Sequence, residues 1–154
     1  MLKTIINVGL VLGIATFALG AKAQQSDHTT NTNAHKVAIH VDEDDPKRMS
    51  MALGNVRNIE KYYKSVGEPV TIEIVTNGGG VSMMRTDKSP VKDTIKAMQA
   101  DLRDLNLAVC QNTIDGLVEK EGREPPFFPG VTVVPSGVVR LMELQEQGYS
   151  YIRP

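Results

Sequence analysis

Cys110 stands in the stretch LNLAVCQNTIDG, residues 105 to 116, and is the sole cysteine of a 154-residue chain. It closes a short apolar run and precedes a segment patterned as a helix. Unpaired backbone N–H groups at a helix start, with Asn112 or Thr113 as the cap, favour an anion. A thiolate placed there has a lowered pKa and becomes a nucleophile. The opposing expectation is packing, because cysteine is among the most buried residue types and behaves as a small hydrophobe. Neighbouring carboxylates such as Asp42 would raise the thiol pKa.

Other chemistry-bearing residues are less well arranged. Asn77-Gly78-Gly79-Gly80 follows a predicted strand, as phosphate loops do, but it lacks the G-x-G-x-x-G spacing and a P-loop lysine. Its glycines serve either a tight turn or the approach of a ligand to backbone N–H groups, and the turn is the simpler expectation. Asp42, Glu43, Asp44 and Asp45 lack the spacing of a calcium loop and read as a capping loop. His28, His35 and His40 have no ligand spacing with the cysteine, which argues against zinc. Pro135-Ser136-Gly137 is not the G-x-S-x-G elbow of a serine hydrolase. Met83 and Met84 could ligate Cu(I), yet methionines more often fill cores. Phe127 and Phe128, in EPPFFPG, either pin a proline-stiffened loop or form an exposed patch, and pinning is the simpler expectation. No metal and no organic cofactor is therefore expected.

Alternating elements must position these residues. β-branched runs predict strands at 36–41, 70–75, 105–109, 131–135 and 149–152. Between them, apolar residues at steps of three and four predict helices. The first is capped by Asp45-Pro46, carries Met49, Ala52, Leu53, Val56, Ile59, Tyr62 and Tyr63 on one face, and ends at Gly67. Ser89-Pro90 opens the second, with Val91, Ile95, Met98 and Leu102; 113–119 and 137–147 are the third and fourth. Strands alternating with helices imply βαβ units, a mostly parallel five-stranded sheet and a three-layer, flavodoxin-like α/β fold. With the common strand order 2-1-3-4-5, strands one and three would flank the switch point, where ligands bind, and Cys110 would lie beside Asp42.

The amino-terminal segment is read apart from the fold. Lys3, the apolar stretch 5–19 and Ala21-Lys22-Ala23 have the order of a cleavable secretory signal peptide, residues 1–23, which implies a periplasmic protein. Residues 24–35 read as a polar leader and 36–154 as a single domain. Net charge is -1, and loss of Lys3 and Lys22 makes it about -3, which argues against nucleic acid as a partner. No later apolar run reaches the length of a membrane span. In an oxidising compartment an idle exposed thiol is a liability, so Cys110 is either buried or employed.

The segments KVAIHVDED, ALGNVRNIEKYY, VTIEIVTNGGGV, AVCQNT and VTVVPSGVVRLMELQEQGYSYIRP together resemble the exported single-domain branch of the DsrE/DsrF-like family of small sulfur-relay proteins. The resemblance covers nearly all of residues 36–154. It implies a homo-oligomer, commonly a trimer or hexamer, and a cysteine after a central strand that carries sulfur as a persulfide. By position that role falls on Cys110, passing sulfur from a donor to an acceptor protein. The pocket would be lined by Asp42, Asn77, Gly78, Gly79, Gly80, Gln111, Asn112, Thr113 and Ser136. A non-catalytic ligand-binding or structural oligomeric protein on the same fold is the alternative.

Overall fold

A computed structural model describes residues 34–154; the expected signal peptide and most of the leader lie outside the described residues. Five strands form one all-parallel sheet: β1 (His35–Val41), β2 (Val70–Thr76), β3 (Leu105–Cys110), β4 (Val131–Val134) and β5 (Ser150–Ile152). The helices are α1 (Pro46–Val66), α2 (Lys92–Asp101), α3 (Gln111–Glu121) and α4 (Gly137–Glu146), with a 3-10 helix over Gly78–Met84. β1 begins at His35, one residue before the expected domain start, and His35 stacks on Tyr63 at 3.9 Å between ring centroids.

Local chemistry accounts for the boundaries. The Asp45 carboxylate accepts the Lys47 N–H at 2.8 Å, Pro46 occupies the first helical position, and Gly67 ends α1 in the left-handed region at φ 74°. Met49, Ala52, Leu53 and Val56 bury the inner face of α1. Tyr62, expected on that face, is exposed. The Ser89 hydroxyl accepts from the Val91 N–H at 3.3 Å, and α2 then starts at Lys92.

The three-layer, flavodoxin-like α/β architecture is present. Strand order is the finding that departs from expectation: it is β4-β3-β2-β1-β5, not 2-1-3-4-5. β2 therefore separates β1 from β3, and Cys110 does not adjoin Asp42. The chain steps outward from β1 to β4 through α1, α2 and α3, and returns beneath the sheet through α4 to place β5 beside β1. Side-chain alternation records the two faces. Val37, Ile39, Ile72, Ile74, Leu107 and Val109 pack with α1, α2 and α3, whereas Ala38, Val75, Ala108 and Val134 pack with Leu141 and Leu144 of α4. Three part-buried ion pairs fasten this frame: Glu73, on the α4 side of β2, accepts from the Arg140 Nε–H and Nη2–H at 2.7 and 2.8 Å, and Arg85 is held by Asp87 and Glu121.

The remaining sequence features resolve into packing. Met83 and Met84 are fully buried, and Phe128 lies in the core with its N–H on the Met84 carbonyl at 3.1 Å, so the EPPFFPG loop is pinned. Among the described residues there is no group of three or more His, Cys, Asp or Glu side chains able to hold a metal ion. Nor is any described helix long and apolar enough to cross a membrane.

Candidate functional site

Neighbouring parallel strands whose following helices leave on opposite faces open a crevice at their carboxyl ends. Here those strands are β3 and β4, because α3 covers one face and α4 the other. Cys110 ends β3 at this point, so the sulfur reaches the switch point by a different strand pair from the one expected. Alternation from Ala108 turns its side chain toward α4, opposite Val134.

Two helix starts meet at the sulfur. α3 begins at Gln111 with Cys110 itself at the N-cap position, a correction to the expected cap at Asn112 or Thr113; α4 begins at Gly137, capped by Ser136. Cys110 is 5 % exposed, and burial pushes its thiol pKa up. The backbone N–H groups of Gly137, Thr113 and Asn112 and the Thr113 hydroxyl outweigh that effect, and the net direction is down. The Thr113 oxygen is itself fixed by accepting the Gly78 N–H at 3.0 Å. Partial positive charge from two helix starts favours the thiolate over the thiol.

Gly137 is what lets α4 come this close. A Cβ there would lie 3.0 Å from Asn77 Cβ and 3.3 Å from Cys110 Cβ. Gly137→Ala is therefore expected to wedge α4 away from the sulfur. Because alanine is the better helix former by about 1 kcal/mol, the net stability loss should stay near 1 kcal/mol. Displacing the Gly137 N–H should also raise the pH midpoint of thiol alkylation; an unchanged midpoint would show that this donor does not hold the thiolate.

The other expected wall residues divide. Thr113 meets Cys110, Asn77 lies beside Gly137, and Ser136 caps α4 through the Val139 N–H. Asn112 takes part through its backbone, and Gly78 through its bond to Thr113. Gln111 turns to Asp115 along α3 at 2.7 Å. Gly79 and Gly80 pack against the backbone of residues 41–44, not against the sulfur, so their role is the turn. Asp42 is engaged by Arg153 at 3.0 and 3.1 Å, Glu43 by Arg48 and Arg153, and Asp45 caps α1, so the acidic loop is a structural clasp.

Three residues that periodicity does not single out complete the surroundings: Gly137, His40 and Tyr151. His40 bridges Asn77 Oδ1 at 3.1 Å and the Tyr151 hydroxyl at 2.8 Å. The sequence signal for His40 was a polar residue at the carboxyl end of a buried strand. A separate depression of about 510 Å³ opens at the amino ends of β2 and β3, at the opposite end of the sheet, between Lys64, Glu68, Asp101 and Arg103. Its lining holds no cysteine, serine or histidine.

No family model matches the chain, and no curated protein matches it. A solved structure does: MTH1491, a protein of unknown function from Methanobacterium thermoautotrophicum. It is 31% identical, with a TM-score of 0.66, over 78% of this chain and 99% of that one.

Proposed function

Since this chain belongs to one family with MTH1491, itself of unknown function, its activity has to be sought in its own site, and we propose that it is a sulfur carrier acting through Cys110. The observation that carries the reading is the convergence of the α3 and α4 starts on one thiol whose pKa is lowered despite burial. In the proposed reaction the Cys110 thiolate attacks the outer sulfur of thiosulfate. The sulfur–sulfur bond of the donor breaks, sulfite leaves with its electron pair, and a Cys110 persulfide anion remains. An acceptor thiolate then attacks the outer sulfur and takes it, and the Cys110 thiolate leaves, restored. Charge balances in both steps, and no metal or redox cofactor enters.

The same proposal carries the resemblance to DsrE/DsrF-like proteins, an exported periplasmic form, assembly as a trimer or hexamer, and separate donor and acceptor partners. One observation favours the alternative, a non-catalytic binding or structural protein: 5 % exposure is what a packing cysteine has. Intact-mass spectrometry after treatment with thiosulfate separates the two, with Cys110→Ser as control and iodoacetamide alkylation followed against pH. The carrier gains the mass of one sulfur only when Cys110 is present, and its thiol alkylates with a midpoint below about 8.5. No sulfur gain, with a thiol inert until denaturation, would establish the packing role.

A further inference from the structure

We propose that Asn77, oriented by His40 and Tyr151, is the side chain that holds the distal end of an anionic sulfur ligand on Cys110. This rests on the sulfur-carrier reading and extends it to the class of donor accepted. Tyr151 lies on β5, His40 on β1, Asn77 immediately after β2 and Cys110 at the end of β3. These are four successive neighbours in the sheet, and the three polar side chains form a row leading toward the sulfur.

The row has a direction. The Tyr151 hydroxyl donates to His40 Nδ1 at 2.8 Å, and His40 Nε2–H donates to Asn77 Oδ1 at 3.1 Å. With its oxygen engaged, the Asn77 carboxamide turns its N–H₂ away from His40. That nitrogen lies 3.5 Å from the point where a Cβ on residue 137 would stand, and Cys110 Cβ lies 3.3 Å from the same point. Amide and cysteine thus close on the same side of Gly137, at a spacing that leaves no room for a Cβ there.

The persulfide on Cys110, and the thiosulfate that approaches Sγ to form it, extend beyond Sγ and carry negative charge at the far end. The Asn77 N–H₂ and the Gly137 N–H are the donors available to it there. Hydrogen bonds to a charged acceptor are stronger than neutral ones, so these two donors discriminate in favour of anionic sulfur donors. His40 is a positioning residue in this scheme: it touches Asn77, not the ligand.

The test follows the rate of sulfur loading from thiosulfate by intact mass. It compares wild type with Asn77→Ala, Asn77→Asp, His40→Ala and His40→Gln, and records the pH profile of iodoacetamide alkylation for each. Asn77→Ala should load about ten-fold more slowly, and Asn77→Asp at least as slowly, since its charge repels the donor. Asn77→Ala should keep the alkylation midpoint, because the donors that hold the free thiolate are untouched, whereas Asn77→Asp, which sets a carboxylate beside the sulfur, should raise it. His40→Ala should lose part of the rate, and His40→Gln, whose amide can still donate to Asn77 Oδ1, should recover it. Wild-type loading equalled by Asn77→Ala would overturn this inference and leave the carrier reading intact. Failure of wild type itself to load would remove the carrier reading and this inference with it. A slow Asn77→Ala combined with no recovery in His40→Gln would remove His40 from the scheme.

Discussion

Gly80→Ala is expected to destabilise the protein by about 3 kcal/mol, enough to lower the melting temperature by about 10 °C. A Cβ at this position would stand 2.1 Å from the Val41 carbonyl oxygen, 2.5 Å from its carbon and 2.9 Å from the Asp42 nitrogen. All three are backbone atoms at the end of β1, so no side-chain rotation relieves the overlap. Retreat of the 3-10 helix is opposed from behind: the Gly80 N–H donates to the Asn77 carbonyl at 3.0 Å, and Val81, Met83 and Met84 are fully buried. The control is Gly116→Ala within α3, where an added Cβ meets nothing within 4 Å. That change should stabilise by about 0.5–1 kcal/mol through helix propensity and reduced unfolded-state entropy. Urea unfolding of both variants checks the pair, and equal, small effects would show that the Gly80 approach is not a tight one.

The same triplet shows where a linear reading stops. Asn77-Gly78-Gly79-Gly80 after a strand announces a turn that needs glycine, but not against what the glycines press. That partner, the backbone of residues 41–44, is set by the parallel pairing of β1 with β2. Cys110 repeats the lesson. Its place at the carboxyl edge followed from periodicity, because the apolar run ends there and a helix begins. Its neighbours did not, because strand order depends on the face over which each connection passes. Local pattern is the same for 2-1-3-4-5 and for β4-β3-β2-β1-β5. The difference exchanged Asp42, which would raise the thiol pKa, for Gly137, whose backbone N–H helps to hold the thiolate, with Asn77 beside it. His40 and Tyr151 were hidden for a related reason: they are 111 residues apart and meet only because β5 returns to pair with β1. Element boundaries moved less. Asp45-Pro46 and Gly67 terminate α1 by chemistry contained in a few residues, and such signals survive without tertiary information.

The second large effect falls on a residue that no periodicity marks. Arg85→Met should cost about 3 kcal/mol at neutral pH, the lower end of the range for breaking a buried ion pair. Arg85 is 1 % exposed. Its guanidinium donates in two forked pairs, to Asp87 at 2.9 and 2.9 Å and to Glu121 at 2.7 and 2.8 Å. Methionine matches the length of the arginine stem but leaves both carboxylates facing one another, with only the exposed Lys88 and Arg123 to neutralise them. The loss should be pH dependent, with a sign fixed by the carboxylates. The Arg85 and Lys88 hydrogen bonds hold Glu121 down at about 2, and Arg85 holds Asp87 well below the ordinary carboxylate range. Groups with depressed folded-state pKa values stabilise above their unfolded values, near 4 to 4.5, and that contribution disappears as pH falls toward 2. Wild type should therefore lose stability steeply between about pH 4.5 and 2, whereas Arg85→Met should lose it more gently. The gap between the two urea-unfolding free energies, full at pH 7, should narrow across that window. A constant gap from pH 7 to pH 2 would mean that Arg85 stabilises by packing its stem, and that the two carboxylates gain nothing from its charge.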